Sequence, residues 1–397
     1  MKVLYLTYEN VFKTGILQAQ VLEPVSYLSE KHNVYFDIVS VLKSADSSDF
    51  IYSKNKSAFE DKNSKYIKVH ECKKRLSKKN NFFDFIFDMF SLFFLSAKLA
   101  SDADIIHCRS YSPSFVGIFF AIIFRKKIIF DMRGVQPEEL VFDGRFSSGS
   151  WKFKLLKLLE RFVINKSNYV FVVSEPFMEY IKENFNQENL YNISNPTFFH
   201  KFNCLQNLGS KKKLRFIFSG SLQPWHAVHE TYQTFSQLYQ VFGDSIHLVV
   251  AANDLEGHKS LLAEYKLPQD SFTVSRIPFE EMPSLISSCH VGFCLTKKTF
   301  LTKVCCPVKF AEYIAAELMI ITNEEIGDIS KLVKDNEIGV VFVDTIPTEE
   351  EFNNLTLSIE KYLKSSAPLY NREIFSNFDW LRRVDDLHAI YKKLLES

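Results

Sequence analysis

A proline, a lysine and a glutamate share one short stretch, CCPVKFAEYIAAELMII, which begins at residue 305. It follows a strand-like run, HVGFCL, and Pro307 can open a helix that we predict to run through Leu318. The N–H groups at such a helix start attract anions, and Lys309 adds a full charge to the first turn. Glu312 lies on the same face, where its carboxylate can accept hydrogen bonds from neighbouring hydroxyls. The spacing predicts a site for a diphosphate and a polyhydroxyl group, with a surface Lys–Glu pair as the alternative.

A second set of polar residues ends two strand-like segments in the first half of the chain. DIIHCRS contains His107 and Arg109, and IIFDMRG contains Asp131 and Arg133. The carboxyl ends of neighbouring parallel strands meet at one edge of a sheet, so all four side chains could line a cleft there. For Asp131, a role beside a reacting group competes with a buried structural ion pair to Arg133.

Gly15 lies in the loop after the first strand-like segment. Without a Cβ atom, its backbone can approach a ligand closely, although a plain turn glycine is the alternative. His226 and His229 are three residues apart, but no third metal ligand accompanies them, so we predict no metal site.

Strands alternate with helices along most of the chain. KVLYLTY, a helical segment and NVYFDIVSV form the first βαβ unit, and the alternation restarts with LRFIFSG after a polar, basic segment. This predicts an α/β fold with two Rossmann-like doubly wound domains, each built on a parallel sheet. We place the domains at 1–198 and 214–375, with a linker at 199–213 and a terminal helix at 376–397 that packs back toward the first domain.

Composition excludes several classes of protein. The 397 residues carry a net charge of +1, which implies no attraction to nucleic acid, and the seven cysteines lack CxxC spacing. The first apolar run is too short for a signal peptide, so we expect a cytoplasmic protein. Two later apolar stretches are too charged or too short to span a bilayer.

A basic run at 73–79, followed by FFDFIFDMF, could hold the first domain against an anionic membrane. A solvated turn before a buried helix is the alternative.

The stretch CPVKFAEYIAAELMIIT resembles the donor-sugar-binding segment of retaining GT-B glycosyltransferases, family 4 in particular. DIIHCRS, IIFDMRG, NYVFVVSE, ISNP, FIFSGSLQPWH and EIGVVF resemble further landmarks of that family in the same order. The resemblance covers nearly the whole chain. It implies a GT-B fold with two domains facing across a cleft and a metal-independent transfer from a nucleotide-sugar, with no cofactor.

The resemblance also implies roles for individual residues. Glu312 would hold the nucleotide ribose, Lys309 would meet the diphosphate or the donor sugar, and Asp131 would lie beside the reacting sugar. A further glutamate that the family often has eight residues before Glu312 is Val304 here. The usual Lys-Gly after the first strand of the second half is missing too. Phosphate binding would then rest on Lys309, on the backbone of Ser219, Gly220 and Ser221, or on Lys297, Lys298 or Lys303.

We therefore expect a hexosyltransferase whose second domain binds the nucleotide-sugar and whose first domain binds a glycan or lipid-linked acceptor. Bacterial surface polysaccharide synthesis, such as capsule or O-antigen assembly at the cytoplasmic face of the inner membrane, is the setting that the resemblance implies. A non-catalytic glycan-binding or partner protein and a nucleotide-sugar epimerase are the rival functions. A solute-binding receptor is disfavoured by the expected absence of a signal peptide.

Overall fold

The computed structural model describes residues 1–13, 15–43, 50–74, 82–203, 213–364 and 370–396. The chain forms two compact units. Unit 1 comprises Met1–Val173, Phe177–Ile193 and Leu381–Ser397, and unit 2 comprises Ser174–Pro176 and Ser194–Trp380. Unit 2 thus resumes at Ser194, before the predicted linker 199–213, most of which lies outside the described residues.

Unit 1 is built on a parallel sheet with seven strands in the described part of the chain. These are β1 (Lys2–Thr7), β2 (Tyr35–Lys43), β3 (Ile67–Lys74), β4 (Ile105–Arg109), β5 (Lys127–Asp131), β6 (Tyr169–Val172) and β7 (Leu190–Asn192). Their spatial order is β3-β2-β1-β4-β5-β6-β7. The direction of strand addition therefore reverses between β1 and β4.

Helices connect the strands of unit 1. They are α1 (Gly15–Leu17), α2 (Glu23–His32), α3 (Phe50–Asn63), α4 (Phe82–Asp102), α5 (Tyr111–Ile123), α6 (Gln136–Phe142), α7 (Trp151–Lys166) and α8 (Glu175–Asn184). A π-helical turn, Gln18–Leu22, separates α1 from α2. Strand β4 is buried along its whole length, as expected for a central strand covered on both faces.

Unit 2 repeats the arrangement with six parallel strands among its described residues. These are β8 (Leu214–Ser219), β9 (Ile246–Ala251), β10 (Phe272–Ser275), β11 (Val291–Cys294), β12 (Met319–Asn323) and β13 (Gly339–Phe342). Their spatial order is β10-β9-β8-β11-β12-β13, so the direction reverses between β8 and β11.

The helices of unit 2 pack around this sheet. They are α9 (Val228–Phe242), α10 (Leu255–Ala263), α11 (Met282–Ser287), α12 (Phe300–Lys303), α13 (Val308–Ala315), α14 (Ile329–Asp335) and α15 (Glu349–Lys364). The helix predicted over Pro307–Leu318 is shorter than expected. Pro307 is its N-cap, and α13 ends at Ala315 because Glu317 adopts a left-handed conformation, φ +57°, two residues later.

The last helix, α16 (Trp380–Glu396), belongs to unit 1 from Leu381 onward. The buried residues Val384, Leu387 and Tyr391 recur at helical spacing along one face. The predicted fold class, two doubly wound parallel-sheet domains with a terminal helix that returns to the first, is confirmed. Within the described ranges, every helix falls short of the length or the hydropathy that a bilayer span requires.

Candidate active site

Helix α13 lies beside the end of β8, one of the two strands at the reversal point of unit 2. The hydroxyl of Tyr313, on α13, accepts a hydrogen bond from the backbone N–H of Ser219 at 3.1 Å. The Tyr313 ring also occupies the space where any side chain at Gly292 on β11 would lie, since a Cβ atom there would come within 2.4 Å of the ring. Ligands of open α/β sheets bind outside the strand ends at such reversal points.

Lys309 is a buried cation in this region. Its side chain is only 7% exposed, and its Nζ lies 4.5 Å from the centre of the Phe218 ring. Within the described part of the chain, Nζ has no hydrogen-bond partner. Burial lowers the pKa of Lys309, because the protein interior disfavours the charged form. An anion reaching this amine would relieve that penalty.

Glu312 lies one helical turn after Lys309. It is half-buried, and burial raises the pKa of its carboxyl group to about 7, although Lys309 opposes the rise. Both the protonated and the ionised forms are therefore populated near neutral pH. The ionised form can accept two hydrogen bonds from vicinal hydroxyls.

The loop after β8 places His226 close enough to Lys309 for the lysine charge to act on its ring. The neutral ring of His226 donates from Nδ1 to the carbonyl oxygen of Ser221 at 2.8 Å. Burial, assisted by the charge of Lys309, lowers the pKa of His226 to about 4, so this ring stays neutral at physiological pH. A Cβ atom at Gly220 would meet the Phe218 and His226 rings at 3.2 and 3.3 Å, so this position favours glycine.

Three distant segments of unit 2 hold the loop that precedes α13. Ser174 donates to the carbonyl of Val304 at 2.8 Å, and Asn195 donates to the carbonyl of Cys306. Gly327, at φ +41°, packs so closely on Cys305 that a Cβ atom would lie 2.0 Å from its carbonyl oxygen. The segments NYVFVVSE and ISNP, noted above only as family landmarks, thus supply residues that position the start of α13.

Unit 1 holds a different cluster at its own reversal point. The carboxylate of Asp131 is completely buried, and Arg133 Nη2 donates to it at 2.8 Å. Arg133 Nε lies 2.7 Å from the other carboxylate oxygen, and Arg109 approaches at 3.4 Å. Burial alone would raise the pKa of Asp131, but Arg133, His107 and Arg109 outweigh it and hold the pKa well below its usual range. The structure therefore brings all four predicted residues of this unit together.

His107 connects the cluster to the last helix. Its Nδ1 shares a 2.7 Å hydrogen bond with the hydroxyl of Tyr391 on α16, and its Nε2 lies 3.8 Å from Asp131. Burial lowers the pKa of His107, so the ring is neutral. The terminal helix is thus part of the wall of this polar cluster, which sequence patterns alone did not indicate.

The remaining candidates fall in different places. Gly15 begins α1 in unit 1 and is half-buried. Val304 is buried. The alternative phosphate-binding lysines, Lys297, Lys298 and Lys303, are all exposed, and Lys298 lies 3.8 Å from Glu324. Among the described residues, no group of three or more His, Cys, Asp or Glu side chains is placed to hold a metal ion.

Comparison with known proteins bears directly on unit 2. Residues 203–376 match the family Glycosyl transferases group 1. This segment includes β8, α13 and the residues between them. The match supports a glycosyltransferase, and it covers most of the unit that holds Lys309 and Glu312.

One sequence relative and several solved structures are similar to this chain outside that segment as well. An uncharacterised glycosyltransferase of Methanocaldococcus jannaschii is 22% identical over 77% of this chain and 78% of its own. HepE of Anabaena, solved with UDP and glucose, has a TM-score of 0.71 and 13% identity, covering 99% of this chain and 100% of that one. Sucrose-phosphate synthase from Thermosynechococcus elongatus has a TM-score of 0.72 and 12% identity, covering 100% of this chain and 99% of its own. These structural likenesses confirm the GT-B fold.

Proposed function

We propose that the protein is a hexosyltransferase that moves a sugar from a nucleotide-sugar donor to a glycan or lipid-linked glycan, with retention of anomeric configuration. The observation that carries this proposal is Lys309, a buried amine without a hydrogen-bond partner in the described residues, at the reversal point of a unit that matches a glycosyltransferase family. The UDP bound in HepE supports a nucleotide-sugar as the donor.

Unit 2 provides the groups for donor binding. Lys309 and the backbone around Gly220 and Ser221 would hold the diphosphate, and Glu312 would accept hydrogen bonds from the ribose hydroxyls. As the glycosidic bond breaks, negative charge grows on the departing diphosphate, and a preorganised cation stabilises it most in the transition state. We assign this task to Lys309, and the reaction that we propose needs neither a metal nor a cofactor.

Unit 1 would bind the acceptor. Asp131 has no exposed surface, so we assign it a positioning role: it fixes the guanidinium groups of Arg133 and Arg109, with His107 beside them. Gly15 stays a candidate for close approach of the donor. We place the reaction in surface polysaccharide synthesis at the cytoplasmic face of the inner membrane, a setting that rests on the family resemblance.

A non-catalytic glycan-binding protein is a second candidate. The observation that favours it is Val304, an apolar and buried residue where the family often has a sugar-binding glutamate. A protein that had lost transfer could keep the fold and the nucleotide site.

Thermal unfolding of the full chain with a panel of nucleotide-sugars tests the proposal. A donor present at 100 times its Kd stabilises the folded state by about 2.7 kcal/mol, so one member of the panel should raise the unfolding temperature clearly. Lys309→Met should reduce that rise without abolishing it, because the lysine charge is expected to matter more for turnover than for donor affinity. If no nucleotide-sugar shifts the transition, the donor site is refuted.

The same donor then distinguishes the candidate functions. A transferase consumes the donor rapidly when an acceptor is present, and without an acceptor it hydrolyses the donor slowly or not at all. An epimerase interconverts the free nucleotide-sugar without an acceptor, which NMR spectra detect as new anomeric and ring proton signals. A binding protein leaves the donor unchanged under both conditions.

A further inference from the structure

Three neighbouring helices of unit 1 expose large apolar side chains. Helix α5 packs between α4 and α7, and all three lie on the sheet connections that run from β3 to β6. We use the name apolar face for the outer surface of these helices, represented by Phe90 and Phe94 on α4, Ile122 on α5, and Trp151, Leu155 and Leu158 on α7.

Helix α7 has an apolar stripe on its outer side. Trp151, Leu155, Leu158 and Phe162 recur at intervals of four, three and four residues, which places them along one side of the helix. All four are exposed, and Trp151 and Leu158 reach 71% and 65%. The side that faces the protein is formed by other residues, among them Val163 and Ile164. An ordinary surface helix presents polar residues outward, so α7 has an unusual distribution.

Aromatic rings connect α4 to α5 across the same surface. Phe90 and Phe94 are stacked with their ring centres 6.5 Å apart, and Phe94 is 71% exposed. Phe93 contacts Phe94 at 5.7 Å and Phe119 of α5 at 5.0 Å. The exposed rings therefore form one continuous patch. Single apolar residues scattered over a surface need no explanation, but a continuous patch does.

Positive charge accompanies the apolar face. Lys152 and Lys154 are exposed on α7, Lys98 follows Phe94 by one turn on α4, and Arg125 is exposed just beyond α5. The one acidic residue of α7, Glu160, is buried and pairs with Lys157. The surface thus combines exposed apolar side chains with cations. A surface of this kind is complementary to a partner whose outer groups are anionic and whose inner layer is apolar.

We propose that the apolar face docks unit 1 onto an anionic membrane surface. Helices with aromatic and leucine side chains on one side and lysines beside them lie in the interface between lipid headgroups and acyl chains. The lysines pair with lipid phosphates while the rings enter the headgroup boundary. This proposal rests on residues other than the basic run at 73–79, of which residues 75–79 lie outside the described part, and it does not depend on the proposed transferase activity.

Vesicle flotation of the full chain tests it, with phosphatidylcholine vesicles that contain or lack phosphatidylglycerol. We expect binding to the anionic vesicles and weak binding to the neutral ones. Combining Phe94→Gln, Trp151→Gln and Leu158→Gln should reduce binding to anionic vesicles about tenfold or more. Combining Lys98→Gln, Lys152→Gln and Lys154→Gln should reduce it about 100-fold at low salt, and less at high salt.

A matched control changes three exposed apolar residues of unit 2, Val343→Gln, Leu357→Gln and Ile374→Gln, and should bind as the parent does. If the triple apolar variant does not fold, Trp151→Gln alone gives the second measurement. Equal binding by parent and apolar variant overturns the proposal, and so does a parent that fails to bind anionic vesicles. If the parent does not bind vesicles and sediments as a dimer, while the triple apolar variant sediments as a monomer, then a second copy of the chain covers the apolar face.

Discussion

The two units bury charged groups at equivalent places, the strand reversal points, but they treat those charges differently. In unit 1, the carboxylate of Asp131 lies between Arg133 and Arg109, so its charge is neutralised inside the protein. In unit 2, Lys309 is buried against the Phe218 ring, and its amine has no hydrogen-bond partner in the described residues.

This difference suggests that the buried charges of unit 1 stabilise the fold, whereas the buried charge of unit 2 is available to bind a ligand. A buried ion pair with its partners in place is complete within the fold, whereas a buried amine without one is penalised until an anion reaches it. The pKa values agree with this distinction. That of Asp131 lies well below its usual range, and those of Lys309 and Glu312 are shifted toward their neutral forms.

The largest expected effect is on the folding of unit 1. Asp131→Asn removes the charge that neutralises the buried guanidinium group of Arg109 and the partly buried one of Arg133, so the free energy of unfolding should fall by about 3–5 kcal/mol. Urea denaturation followed by circular dichroism measures it, with the exposed Asp61→Asn as the control. A loss below about 1 kcal/mol would show that Arg133 and Arg109 do not depend on Asp131, and the contrast between the units would fail.

Lys309→Met should have the opposite profile. It keeps most of the side-chain stem, removes the unpartnered charge and should leave the unliganded protein at least as stable as the parent. Turnover should fall by roughly 100-fold, with a smaller change in donor affinity, because in the proposed mechanism the charge acts mainly on the leaving diphosphate. Steady-state kinetics beside thermal unfolding checks both expectations, and Lys331→Met, at an exposed site, is the control. Unchanged turnover would mean that the diphosphate is held elsewhere.

Glu312→Gln should weaken donor binding by about 1.5–3 kcal/mol, since an ionised acceptor is replaced by a neutral one. The pH dependence sharpens the test. In the proposed site, ribose hydroxyls bind the ionised carboxylate. The pKa of Glu312 is about 7 in the free protein, so donor affinity of the parent should rise as pH increases through 7 and then level off. Calorimetric titration of an intact nucleotide-sugar should show that rise in the parent and none in the variant. If donor affinity changes with pH in the same way for parent and variant, Glu312 does not contact the donor.

The smallest effect concerns the loop before α13. Ser174→Ala removes one hydrogen bond to the Val304 carbonyl and should lower the free energy of unfolding by about 1 kcal/mol. Because that loop leads into the helix of Lys309, donor KM should rise in the same variant. Ser358→Ala, at a helical serine of unit 2 far from this loop in sequence, should leave KM unchanged. Equal donor KM values for both variants would show that the loop before α13 does not influence donor binding.

Sequence patterns were sufficient to predict a parallel sheet in each unit, although β3 and β7, at the two edges of the sheet in unit 1, were not among the predicted strands. Central parallel strands are buried on both faces, so they stand out as short apolar runs such as KVLYLTY and LRFIFSG, which form β1 and β8. The polar residues at strand ends follow from the same topology, and the register places Arg109 directly beside Asp131.

Other features depend on packing that no local pattern encodes. Ser174 and Asn195 reach the loop before α13 across more than 100 residues of chain, so their contacts could not be predicted from spacing. The length of α13 was overestimated because the sequence remains helix-compatible through Leu318. In α4, apolar residues lie on all sides, and only the packed structure shows that Phe87, Phe90 and Phe94 are exposed.

The unpartnered amine of Lys309 also bears on how this protein can be engineered. A hydrophobic side chain of similar volume at position 309 would remove the penalty of burying a charge, so a screen that rewards thermostability alone would favour the loss of this lysine. A screen that includes the nucleotide-sugar would favour its retention if the proposed site is right, because the charged residue would gain more stability from the bound diphosphate than an apolar one. Position 309 is therefore a site where improving stability and preserving donor binding place opposite demands on the same residue.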